Sequence, residues 1–184
     1  MDAAIAAGLA AVPFFMKDYL GAGPKMLGAV GAMQSASYAA MSLISSKYVS
    51  RAKNGLVWAV VGIACFAVLF NTAPFMRHPY AFAAFSTAGF AGVGLVWPAM
   101  WAWLGGERNA RLRARRMSHY NMAWSVGLTL GPFFGGFLYD VHHWLPFACV
   151  FSAAAVALVI EATLPHEKDH FRRPENAADG DDDS

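Results

Sequence analysis

The chain has 184 residues, of which 57% are hydrophobic and 14% charged, and its formal net charge is +2. A soluble domain carries roughly 25% charged residues, so this balance is a membrane protein's, and the small net charge argues against nucleic acid as a partner. Cys65 and Cys149 each lie alone inside an apolar run, which suggests neither a disulfide framework nor a metal site, and no cofactor is implied.

In chain order, the first 16 residues are Ala-rich, with Asp2 their one charge. A helix over about 3–16 reaches little more than ~20 Å, short of the ~30 Å hydrocarbon core. An acid without a base at the start does not fit a secretory signal. The run reads as a first span, unusually short or clipped at its beginning, with a short surface or buried helix as the alternative. Lys17 to Lys25, with Gly21, Gly23 and Pro24, reads as a turn. A second span is expected over about 26–46, where Gly31, Gln34, Ser35, Tyr38, Ser42 and Ser45 form one polar stripe at helical spacing. Lys47, Arg51 and Lys53 make a short basic loop, closed by Asn54 and Gly55.

The third span, about 56–76, is almost uniformly apolar and is expected to face lipid. Arg77, His78 and Pro79 turn the chain into a fourth, about 80–104, which carries Gly89, Gly92 and Gly94 and then Trp97, Pro98, Trp101 and Trp103. The late tryptophans suit a membrane interface. Residues 105–117 read as a loop holding Arg108, Arg111, Arg113, Arg115 and Arg116 against Glu107. Beside a span, such a cluster reads as a topological anchor in preference to a nucleic-acid or anionic-headgroup site. The fifth and sixth spans are expected over about 118–139 and 144–164, joined through Asp140, Val141, His142 and His143.

The fifth span carries the most informative stretch, G-L-T-L-G-P-F-F-G-G from Gly127 to Gly136. Gly127, Gly131 and Gly135 share one helix face, a groove for the close approach of a second helix. Pro132 lacks an N–H, so the Leu128 carbonyl loses its partner and a bend is expected there. Asn121, Ser125, Thr129, Pro132 and Gly136 gather on a separate, polar face.

Alternate loops hold the basic residues, whereas the opposite set holds only Lys17, Lys25 and Arg77. The basic loops are therefore expected in the cytoplasm, and with six spans both termini lie there too. Residues 166–184 are polar and acidic and are expected to form a disordered cytoplasmic tail. At its start His166, Glu167, Lys168, Asp169 and His170 match H-E-x-x-H, but without a third ligand or an apolar helix the match is weak evidence for a zinc protease. His142 and His143 read as a wet loop and His119 as an interfacial helix start.

Taken together, the pattern is an all-α polytopic membrane protein whose six spans resemble the N-terminal half of a major facilitator superfamily transporter. Gly127, Gly131, Pro132, Gly135 and Gly136 are similar to that superfamily's fifth-helix motif, G-x-x-x-G-P-x-x-G-G, and Gly92, Gly94 and Pro98 are similar to its fourth-helix pattern. The resemblance covers the chain from the first span to Pro165. Departures are clear: of the superfamily loop G-x-L-A-D-R-x-G-R-K, the stretch Ser46 to Gly55 keeps only Arg51, with Ser50 where an aspartate would be. The arginine that members often carry in the fourth helix is missing as well.

The resemblance implies transport of a small solute in the plasma (inner) membrane by alternating access, with efflux one direction open to it. It implies a second six-helix bundle as partner, either a homodimer mate or a separately encoded C-terminal half. It also implies Gln34, Tyr38, Trp97, Asn121, Trp124 and Ser125 as substrate-cavity residues, with Arg51 in the cytoplasmic gate loop. Helix packing and hydrogen bonding is the alternative role for each cavity residue. With Asp18 and Glu161 near span ends, no carboxylate is expected in mid-membrane, so proton coupling has no evident carrier and a neutral or amphipathic substrate is favoured. A non-transporting six-helix scaffold is the competing class.

Overall fold

The computed structural model describes residues 1–49, 56–107 and 109–163, excluding the side chains of residues 161 and 162. Six long helices make up those residues: α1 (Asp2–Leu20), α2 (Pro24–Val49), α3 (Leu56–Thr72), α4 (Pro79–Gly105), α5 (Ala110–Val141) and α6 (Leu145–Thr163), with a 3-10 turn at Ala73–Phe75. No strand occurs among the described residues. Arg51 and the H-E-x-x-H stretch lie outside them.

Local chemistry sets the helix ends. Gly21 adopts a φ of 63°, open to glycine without a Cβ penalty, and the Ala22 N–H donates to the Met16 carbonyl at 2.9 Å. This closure carries α1 four residues past its expected end at 16, to about 28 Å in length, and shortens the expected turn to Gly21, Ala22 and Gly23. Pro79 opens α4 from its first turn, where a missing N–H costs nothing. The side chain of Asn109 accepts from the N–H groups of Arg111 and Leu112 at 3.0 and 3.2 Å, capping α5. The stretch read as an arginine loop is therefore helical from Ala110 on, because alanine, leucine and arginine are strong helix formers once a cap is present.

The helices touch in the order α2, α4, α3, α6, α1, α5, so α2 and α5 form the flanks, and α1 and α4 carry the most buried residues. Phe15, Met16, Phe66, Phe70, Phe82, Phe90, Phe147 and Val150 build the larger core cluster. A smaller one, with Val49, Ala59, Ile63, Val96, Ala99 and Ala154, joins α2, α3, α4 and α6. The expectation that α3 faces lipid is corrected in part. Its Ala59, Gly62, Ile63, Phe66, Ala67 and Phe70 are buried, whereas Val57, Val60, Val61 and Val68 stay exposed. The reason is a glycine crossing: a Cβ on Gly62 would lie 2.5 Å from the Gly92 carbonyl oxygen, and one on Gly92 would lie 2.6 Å from that of Gly62.

Three segments are long and apolar enough by themselves to cross a bilayer: Asp2–Leu20, Leu56–Phe75 and Pro79–Gly105. Leu145–Ile160 is a shorter apolar helix. α2 and α5 are long but diluted by polar stripes, and where those stripes lie determines what the bundle can do.

Candidate functional site

α5 is attached to α1 through its glycine stripe. Of its residues only Gly127, Gly131 and Gly135 are buried. A Cβ on Gly131 would meet the Ala6 Cβ at 2.5 Å and the Ala3 carbonyl oxygen at 2.6 Å, and one on Gly135 would meet the Ala7 carbonyl oxygen at 2.5 Å. Backbone thus lies against backbone, the contact that substitutes for a hydrophobic drive inside lipid. Gly136, grouped with these glycines by motif, has nothing within 4 Å and belongs to the open face. Pro132 is also exposed, and the helix is continuous through it.

The same contact brings in a residue that sequence reasoning missed. A Cβ on Gly127 would lie 2.9 Å from the Asp2 Cβ, so Asp2 stands beside the middle of α5. Its Oδ1 is buried and has no hydrogen-bond partner among the described residues. Asp2 is half-buried, and the carboxylates singled out from the sequence were Asp18 and Glu161, because position along one helix does not tell which neighbour a helix end meets.

The polar stripe of α2 does not form one open face. Gln34 is 4% exposed and Ser45 2%, Tyr38 and Ser42 are half-buried, and Gly31 and Ser35 are exposed. α4 explains the division. Ser45 Oγ donates to the Gly94 carbonyl at 3.0 Å, Ser37 Oγ donates to the Thr87 carbonyl at 3.1 Å, and a Cβ on Gly94 would lie 2.7 Å from the Tyr38 carbonyl oxygen. Serine hydroxyls and a glycine thus join two helices. Gln34 lies inside the bundle, with no partner for its Nε2 among the described residues.

Tyr38 and Trp97 pack on the same core cluster. Trp97 and Trp101 both meet Tyr120 edge-on, with ring centroids 6.0 and 5.5 Å apart, and so join α4 to α5. Tyr120 was not among the expected site residues, since its helical spacing puts it near the packing face and does not name its partners on another helix. Asn121, Trp124 and Ser125 are exposed on α5. The six expected cavity residues therefore divide into a buried one, Gln34, a half-buried pair, Tyr38 and Trp97, and an exposed trio on α5.

At the far end of the bundle an open groove of about 500 Å³ is lined by Asp18, Tyr19, Tyr139, Asp140, Val141, His142 and His143. Tyr139 donates to Asp18 Oδ2 at 3.1 Å, and the Tyr19 hydroxyl lies 2.7 Å from His143 Nδ1. Burial, with His142 beside it, holds the His143 imidazole below its ordinary value of 6.5. No group of three or more metal-ligating side chains occurs among the described residues.

A bundle of six helices joined by glycine crossings and serine-to-carbonyl bonds, with three clearly apolar helices, is a polytopic membrane protein. The family model of the Major Facilitator Superfamily matches residues 2–180, and the chain belongs to that superfamily of membrane transporters. No curated protein and no solved structure matches the chain.

Proposed function

We propose that this chain is one six-helix half of a secondary transporter, completed in the membrane by a second bundle. The observation that carries the reading is the face of α5 turned away from α1. Asn121, Ser125 and Thr129 are exposed there, with Pro132 beside them. Polar side chains in a membrane belong against protein or a watery cavity, not against lipid. A second bundle seated along that face would enclose them, and the solute would pass between the two bundles. The second bundle is another copy of this chain or a separately encoded C-terminal half.

Asn121, Trp124 and Ser125 are the groups that would meet solute first, with Tyr38 and Trp97 behind them. Asp2, beside Gly127, gives this half a carboxylate able to take up and release a proton, so the solute need not carry the coupling charge itself. The distribution of basic residues supports a plasma-membrane protein with both termini in the cytoplasm.

The deciding experiment is the mass and composition of the complex drawn gently from its native membrane through a tag on this chain. A homodimer, or a pair with a second six-helix protein, supports the two-bundle transporter. A lone monomer, or a complex with an unrelated enzyme, overturns it in favour of a scaffold.

A further inference from the structure

The first turns of α5 carry a charge arrangement that the bundle itself does not satisfy. Four described arginines fall within Arg111 to Arg116, and helix geometry divides them into two pairs on opposite faces. Arg116 Nη1 pairs with Glu107 Oε2 at 2.9 Å, and its guanidinium lies 5.9 Å from the Trp103 ring centroid. Arg113 Nη1 donates to the Glu107 carbonyl at 3.4 Å. Glu107 is thereby committed to the inward pair. Arg111 and Arg115 are exposed, one turn apart, and their guanidinium groups have no hydrogen bond or ion pair among the described residues. The first turn of α5 holds no acid, so cations stand at the positive end of the helix dipole. An external anion would relieve that conflict.

Helix length fixes where the anion must be. At about 1.5 Å per residue α5 is about 48 Å long, against ~30 Å of hydrocarbon, so its arginine end emerges at headgroup depth while the apolar remainder stays in the membrane. Arg111, Arg115, Met122 and Val126 fall within roughly 60° of one another around the helix. Met122 and Val126 are exposed, to 63% and 50%. The face therefore runs from two free guanidinium groups onto a strip of bare apolar side chains, which complements a phosphate joined to acyl chains.

We propose that Arg111 and Arg115 hold the phosphate of an anionic phospholipid, whose chains lie along Met122 and Val126, within about 23 Å of the arginines. Guanidinium groups suit this task because their planar fork gives paired hydrogen bonds to phosphate oxygens. The inference is independent of what the protein transports.

The test is lipid occupancy, read by native mass spectrometry of the full chain released from nanodiscs of mixed phosphatidylcholine and phosphatidylglycerol. Wild type should retain phosphatidylglycerol selectively. R111Q/R115Q should lose about tenfold of that occupancy, R111K/R115K should fall between the two because it keeps the charge and loses the fork, and K17Q/K25Q at the opposite end should match wild type. Undiminished phosphatidylglycerol on R111Q/R115Q overturns the proposal, as does equal retention of phosphatidylcholine by wild type. Inorganic phosphate is the remaining arm. If it displaces the lipid and binds equally well alone, the site is one for a free anion and the lipid assignment fails. Should R111Q/R115Q not fold, salt elution of the wild type decides: phosphatidylglycerol held unchanged in high salt contradicts the phosphate contact.

Discussion

Glycine at residue scale means two different things in α5. Gly131 faces backbone and Cβ atoms of α1 closer than any real side chain tolerates, whereas Gly136 faces open space. Gly131→Leu should therefore sharply lower the amount of monodisperse protein recovered from membranes, and Gly136→Ala should leave it near wild type; equal recovery of both variants would remove the close-packing account. His143 supplies a second prediction. Its imidazole is held below the ordinary value of 6.5, so the folded chain binds its proton less readily than the unfolded chain does. Stability is full above that value and falls as pH drops through it toward the folded pKa. A melting curve repeated across about pH 5 to 8 should show this loss for wild type and a smaller one for His143→Gln. The spacing of Gly127, Gly131 and Gly135 was legible in the sequence. Their occupant was not, because helix spacing says that a groove exists and nothing about which alanines fill it.

For single elements, the question is what holds each helix in its place. α5 begins on one cap, the Asn109 side chain, so Asn109→Ala should cost about 1 kcal/mol at that end. The expected sign is faster amide hydrogen exchange over Arg111 to Arg113 with the thermal midpoint nearly unchanged. Loss of protection as far as Gly131 would mean the cap supports the whole helix. α2 shows where reading by element ran out. Its polar stripe was visible at helical spacing, with a cavity and helix packing both open as roles. Yet Ser37 and Ser45 use their hydroxyls on carbonyls of α4, where Gly94 lets the backbones approach. A serine suits a cavity or a helix crossing equally well, and only the neighbour distinguishes the two.

The whole molecule has an asymmetry of coverage. α1 and α4 each bury one face among their neighbours, while α5 presents Asn121, Ser125 and Thr129 outward and α6 presents Phe151, Val156, Val159 and Ile160. If the α5 face meets a second bundle and the α6 face meets lipid, cysteines placed on each will behave differently. In a background lacking Cys65 and Cys149, Thr129→Cys should crosslink in native membranes to a species of higher mass, and Val156→Cys should not. Equal crosslinking of the two would count against a specific α5 interface.

Membership in a helical membrane family was determined by the sequence alone, since apolar runs of spanning length separated by turn residues admit few other solutions in lipid. The glycine-proline stretch in the fifth helix was equally local, because its spacing lies within one element. Tertiary structure alone decided the contacts that join residues far apart in the chain: Asp2 beside Gly127, Gly62 across Gly92, Tyr139 on Asp18, and Gln34 turned inward. It also separated the arginines of α5 into a pair held by Glu107 and a pair whose guanidinium groups have no partner among the described residues. Periodicity assigns residues to the same helix face, but only the packing of helices determines whether that face meets protein, lipid or water.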